Sequence, residues 1–242
     1  MSWRLQSIPA ILALAAYSVI SAGCGSAVNL AQVRVINAIP DSDPTDIYVN
    51  GVRIVSSLAF GAVQPPAAPA RYVPVHSGND SIQGFAPGDT INPIAPIGTI
   101  PLNGSTDYTL IAVGLELNES PPLVLTDDNT TPLSGNVEFR IVNVSLGSPA
   151  KGLDVYIVPP GTDIAQYTPQ VSALGYGQTS LYQSMPFLTG GYSVIITANG
   201  SKVPLITQAG GSQTGSITTL VILDNTGGNG MSTTPLVLND LD

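Results

Sequence analysis

One block of sequence occurs twice in this chain, and the repeat sets the scale of anything it can fold into. Val33-Arg34-Val35-Ile36-Asn37 is answered by Phe139-Arg140-Ile141-Val142-Asn143, and Asp46-Ile47-Tyr48-Val49 by Asp154-Val155-Tyr156-Ile157. Phe60-Gly61 matches Tyr176-Gly177, the run from Tyr108 to Val113 matches Ile217 to Ile222, and Pro122 to Asp127 matches Pro235 to Asp240. The spacing drifts from 106 residues at Arg34/Arg140 through 108 at Asp46/Asp154 and 109 at Thr109/Thr218 to 113 at Leu123/Leu236. Small loop insertions produce such a drift. A unit of about 100 residues is an ordinary domain, so the repeat predicts two tandem domains, 32–128 and 137–242. The linker, 129–136, falls in a polar stretch with Pro and Gly and little to bury.

Within each copy the apolar residues form short runs between turn residues, and no long window carries the i, i+3, i+4, i+7 pattern of a surface helix. The fold class is therefore expected to be all-β, as two tandem β-sandwiches of immunoglobulin-like type. Asn50-Gly51 tolerates the positive φ of a tight turn, which predicts a hairpin joining Asp46–Val49 to Val52–Val55. Asn199-Gly200 predicts another between Tyr192–Thr197 and Lys202–Ile206.

Ahead of the first copy, an apolar run from Ile8 to Ile20 follows Arg4 and ends at Ser21-Ala22-Gly23-Cys24. The run is too short to span a bilayer, which takes roughly 20 apolar residues, so it reads as a cleaved targeting segment, 1–23. Small residues directly before the chain's one cysteine resemble a bacterial lipoprotein signal. That resemblance implies cleavage after Gly23, a diacylglycerol and an N-acyl chain such as palmitate on Cys24, and a tether, 24–31. Ser21, where that signal usually has an aliphatic residue, also satisfies ordinary signal peptidase together with Gly23, which would leave Cys24 a free thiol. Two or three acyl chains anchor a protein durably, since each buried methylene contributes about 0.8 kcal/mol. The expected location is the extracytoplasmic side of the cell envelope. No Asp follows Cys24, which favours the outer membrane where there are two.

The segment takes with it one of seven basic residues and none of the sixteen acidic ones, so the remainder is more acidic than the whole chain's net −9. Its cations are dispersed, and nucleic acid is excluded as a partner because phosphate binding needs clustered Lys and Arg. The expected partners are the membrane, through the lipid, and an envelope protein or glycan.

Together V-R-V-I-N, D-x-Y-V-N-G, Phe60-Gly61, Asp107 to Gly114 and Leu123 to Asp128 resemble the bacterial family catalogued as domain of unknown function 4397. The second copy departs from the pattern, with Gly161-Thr162 in the region of the first hairpin and Asp224 where the first copy has Gly114. The resemblance implies tandem β-rich domains on exported envelope proteins and carries no activity.

Chemistry is sparse. Arg34 with Asp46, and Arg140 with Asp154, are expected to be structural ion pairs between neighbouring strands. His76 is the sole histidine, Cys24 is taken by the anchor, and no Gly-x-Ser-x-Gly elbow presents a nucleophile, so the chain is read as non-enzymatic and without a cofactor. Asp41 and Asp43 in one loop, and Asp127 and Asp128 at the junction, offer hard oxygens suited to Ca²⁺ but lack EF-hand spacing, and a turn role is preferred. Tyr167, Tyr176 and Tyr182 lie among Gly, Ser, Thr and Gln, a composition suited to adaptable contact surfaces. The expected function is a membrane-anchored interaction, adhesion or spacer module. The alternative is an envelope polysaccharide hydrolase or carbohydrate-binding protein; a hydrolase needs two carboxylates about 5–10 Å apart in a cleft.

Overall fold

The computed structural model describes residues 29–65, 71–116 and 118–241. The targeting segment, Gly23 and Cys24 lie outside these residues, as do residues 66–70. The described chain is all-β, with a single 3₁₀ turn at Ile164–Gln166. None of its helices is long and apolar enough to cross a membrane.

In chain order the first half forms β1 (Leu30–Asn37), β2 (Thr45–Val49), β3 (Val52–Leu58), β4 (Val63–Gln64), β5 (Val73–His76), β6 (Gly78–Phe85), β7 (Pro93–Leu102), β8 (Asp107–Leu115) and β9 (Asn118–Asp127). The second forms β10 (Asn136–Asn143), β11 (Leu153–Val158), β12 (Val171–Leu174), β13 (Gln178–Thr179), β14 (Gln183–Pro186), β15 (Tyr192–Ala198), β16 (Pro204–Gly210), β17 (Ile217–Ile222) and β18 (Leu236–Asn239).

Four sheets result, two in each half. The first half has the order β4-β1-β8-β9, with β5 also beside β1, and the order β3-β2-β6-β7. The second repeats the plan as β13-β10-β17-β18, with β14 beside β10, and β12-β11-β15-β16. In both halves the first strand runs parallel to a late one, β1 with β8 and β10 with β17. Arg34 thereby stands opposite Thr109, and Arg140 opposite Thr219. The structural counterpart of Thr109 is therefore Thr219, one residue beyond the Thr218 that sequence matching selects.

Period-two geometry explains the cores. In β1, Ala31, Val33 and Val35 point into a core shared with Ile47, Val55, Ile82 and Leu102 of the first half's other sheet. The intervening Ile36, followed by Ala38, points the opposite way and joins Val142, Val144, Val221 and Leu223 of the second half. The second half has its own core around Phe139, Ile141, Val155, Val194 and Leu220. The sheets of β1 and β10 are thus covered on both faces, and such strands read as nearly unbroken apolar runs. β1 and β10 have the same burial pattern, and all six residues of β17 are buried.

Both predicted hairpins form. Asn50 and Gly51 have φ of 49° and 76°, and Val49 pairs with Val52. The β15–β16 turn is longer: Gly200 takes positive φ, and Ser201 N–H closes on the Ala198 carbonyl at 2.8 Å. Asn37 and Asn143 do the same work in each copy. Each side-chain amide donates to a serine hydroxyl five residues on, and to the carbonyl of Leu58 or Leu174. Their backbone carbonyls receive Gly61 N–H and Gly177 N–H, both at 2.8 Å, which accounts for the repeated aromatic-glycine pair.

Candidate functional site

The faces that carry the shared apolar cluster also carry charge. Arg34 on β1 and Arg140 on β10 are each 3 % exposed and point between the halves. Opposite them stand Asp127, at the end of β9, and Asp240, just beyond β18. The expected pairs, Arg34 with Asp46 and Arg140 with Asp154, are not the ones that form. Arg34 Nη2 donates to Asp240 Oδ1 at 2.5 Å, and Arg140 Nη2 to Asp127 Oδ1 at 2.6 Å. Within each half the contacts are longer, Arg34 to Asp127 and Arg140 to Asp240 both measuring 3.2 Å. Each arginine takes its shorter bond from the other half.

The surroundings saturate the cluster. Thr109 Oγ1 accepts from Arg34 Nε at 2.6 Å and donates to Asp127 Oδ2 at 2.5 Å. Thr219 Oγ1 accepts from Arg140 Nε at 3.0 Å and donates to Asp240 Oδ2 at 2.5 Å. Tyr72 OH donates to Asp127 at 2.8 Å with its ring 5.2 Å from the Arg34 guanidinium, and Tyr182 OH donates to Asp240 at 2.9 Å with its ring 4.7 Å from Arg140. Two cations face two anions, so the cluster is neutral, and every carboxylate oxygen accepts at least one bond. Burial lowers the Arg34 pKa, but the fields of Asp127 and Asp240 outweigh it and raise it overall. Burial, then the adjacent carboxylates, push the Tyr72 and Tyr182 phenols far above their usual range. Asp127 and Asp240 each pair with an arginine from both halves, which ties the two halves together.

Asp46 and Asp154 act elsewhere, again in matching ways. Asp46 accepts from Ser57 N–H at 2.7 Å and from Arg53 at 3.1 Å; Asp154 accepts from Ala173 N–H, the Asn199 amide and Gly200 N–H at 2.8–3.0 Å. Ser57 and Ala173 have φ of 49° and 53°, and the strand register shifts beside both aspartates. Each carboxylate therefore holds a left-handed residue of the neighbouring strand in place. Burial would raise both carboxyls, but these hydrogen bonds win and hold them below the usual range.

The remaining candidates separate. Asp41 is exposed and accepts from Glu116 N–H at 3.0 Å; Asp43 and Asp128 are exposed, and Asp128 accepts from Thr130. Among the described residues no group of three or more His, Cys, Asp and Glu is placed to hold a metal. The tyrosines do not form one surface: Tyr182 belongs to the buried network, while Tyr167 and Tyr176 are exposed. His76 is exposed on β5.

Sequence reasoning missed Asp127 and Asp240 as the arginines' partners. The signal was present: both close the repeated P-L-V-L-x-D block, just as the arginines sit in the repeated block that opens each copy.

The family described as "Domain of unknown function (DUF4397)" matches residues 31–156, just over half of the chain, and the chain belongs to it. The matched span runs from β1 through the first copy and on into β11. No curated protein matches. Among solved structures, one described as "Alpha-glucan binding by a streptococcal virulence factor" aligns over 84 % of this chain and 97 % of its own, at 10 % identity and a TM-score of 0.27.

Proposed function

We propose that this chain is a non-catalytic lipoprotein of the cell envelope, anchored through Cys24, whose tandem immunoglobulin-like β-sandwiches act as one rigid spacer or interaction module. The exchanged Arg34–Asp240 and Arg140–Asp127 pairs carry this reading. Separate beads on a flexible linker would keep their charges hydrated, because burying an ion costs several kcal/mol unless partners replace the water. Ten buried apolar residues, five from each half, pack into one cluster on the same strand faces as these charges, so the halves move as a single body. A rigid body carries whatever it presents to a fixed distance from the anchor.

A glycan is the second candidate partner, and one groove favours it. About 270 Å³ in volume, it is lined by Gly210, Gly211, Gln213, Ser216, Thr218 and Asn239 among others. Its polar groups are neutral, as suits a polyhydroxylated ligand. Ser216 Oγ is screened from solvent and has no hydrogen-bond partner among the described residues.

Membrane fractionation with cross-linking mass spectrometry on intact cells, comparing the native chain with Cys24→Ser, tests the proposal. The native chain is expected in the membrane fraction with a reproducible neighbour, and Cys24→Ser in the soluble fraction without it. Equal distribution of the two would refute the anchor. Polysaccharide cleavage by the purified chain would refute the non-catalytic role.

A further inference from the structure

The surface joining the halves has the symmetry of a homodimer interface. In an isologous contact, residue i of one partner meets j of the other, and j meets i. Arg34 meets Asp240, and Arg140 meets Asp127, where Arg34/Arg140 and Asp127/Asp240 are equivalent positions of the two copies. Backbone contacts follow the same rule: Arg34 Nη1 reaches the Asn239 carbonyl at 3.5 Å, and Arg140 Nη1 the Thr126 carbonyl at 3.2 Å. So does the apolar cluster, whose buried members fall into equivalent pairs: Ile36/Val142, Ala38/Val144, Ile111/Val221, Val113/Leu223 and Leu125/Leu238. Other contacts between the halves depart from the rule: Gly227 N–H donates to the Pro40 carbonyl at 2.8 Å, Arg71 Nη1 to the Asn239 carbonyl at 3.1 Å, and Asp128 N–H to the Tyr182 hydroxyl at 3.3 Å.

We infer that each half's docking face is self-complementary and accepts the same face of a second copy of this chain. A face that offers Arg, Thr, Asp and Tyr to a partner offering Arg, Thr, Asp and Tyr finds every charge answered, whichever copy supplies it. Within one chain the short linker holds the partner at an effective concentration on the order of mM, so the isolated chain closes on itself. Chains crowded on one surface compete with that closure, and exchange of halves then links neighbours at little cost, because the contacts made equal those lost. This names a partner for the interaction role proposed above, and rests on that role only for its setting.

Exchanging the charges of one half tests the inference in the full chain without its anchor. Arg34→Asp combined with Asp127→Arg sets like charges against Asp240 and Arg140 and so disfavours the internal contact. Pairing of the first half with another first half keeps opposite charges in contact, and pairing of two second halves uses unaltered residues throughout. Sedimentation at about 10 µM, far below the mM internal concentration, is expected to give a monomer for the native chain and a dimer for the variant. A variant monomeric up to about 100 µM, with strand content retained by circular dichroism, would overturn the inference. If the variant does not fold, native chains refolded from denaturant at about 10 µM and at about 3 mM, below and above the internal concentration, answer the same question. A dimer fraction that rises with concentration supports exchange, and monomer at both refutes it. The anchored-module reading is judged separately by fractionation.

Discussion

Asp240→Asn removes one charge from the buried network while preserving shape. In the native chain this carboxylate receives Arg34 at 2.5 Å and Arg140 at 3.2 Å, with Thr219 and Tyr182 completing its shell. The amide offers one acceptor oxygen where four donors converged, and it turns an N–H₂ toward other donors. Two buried guanidinium groups must then share Asp127. Breaking one partner of a buried ion pair costs about 3–5 kcal/mol, because the surviving charge is left without compensation. For a chain of this size, each kcal/mol lowers Tm by roughly 2–4 °C, so a fall of about 6–20 °C is expected. Each half has its own core, so calorimetry is expected to show a first, smaller transition as the halves part, ahead of the main unfolding. Replacing the set with apolar residues, as Arg34→Met, Arg140→Met, Asp127→Leu and Asp240→Leu, is expected to cost less than the single change, because no charge remains to desolvate. A loss under about 1 kcal/mol for Asp240→Asn, the range of exposed pairs, would refute the account of a dry, coupled network.

Tyr72→Phe and Tyr182→Phe each keep the ring over its guanidinium and delete one hydrogen bond to a carboxylate. Each is expected to lose about 1.5–3 kcal/mol by urea titration, and equal losses at the two sites would confirm their equivalence. Asp46 and Asp154 have folded pKa values below their unfolded ones, so their stabilisation is full above the unfolded carboxylate range and is lost as pH falls through the folded values. Tm should therefore drop on acidification from about pH 5 toward 2, and Asp154→Asn should flatten that drop; an unchanged slope would mean that the carboxylate gains nothing from its three donors. Gly147→Ala places a Cβ 2.5 Å from the backbone of Gly230 and Met231. The loops must part, with an expected cost of about 1–3 kcal/mol as overpacking, read from the denaturation midpoint.

How much of this was legible in the sequence depended on distance along the chain. Asn50-Gly51 announces its hairpin because the turn's φ requirements are local. The strands' existence and the all-β class follow from short apolar runs, also local. Arg34 and Asp240 are separated by 206 residues, and local reasoning gave Arg34 to the nearer Asp46. The shared apolar cluster was hidden for the same reason: an unbroken apolar run does not say whether a strand's second face meets its own domain or another. The one-residue error at Thr218 arose because Thr218 and Thr219 are both threonines, and only pairing with Arg140 distinguishes them.

The two halves differ unevenly, and the interface explains where. Near the loop after β1 they solve one problem with reversed roles. In the first half the loop supplies the carboxylate, and Asp41 accepts from Glu116 N–H. In the second the loop supplies the donors, and buried Asp224 accepts from the Ser145 hydroxyl and from Leu146 and Gly147 N–H at 2.9 Å. This explains why Asp224 replaces the glycine of the first copy and why Ser145 to Gly147 replace the acidic loop. A contact inside one half can change when both its partners change together. A residue of the exchanged network answers to its own half and to the other at once: Arg34 bonds Thr109 beside it and Asp240 across from it. Changing one Arg or Asp would unbalance a buried set of four, and restoring neutrality takes a matching change in the other half. That double constraint is a physical reason for Arg, Thr, Asp and Tyr to stand at equivalent places in both copies while the outer loops differ.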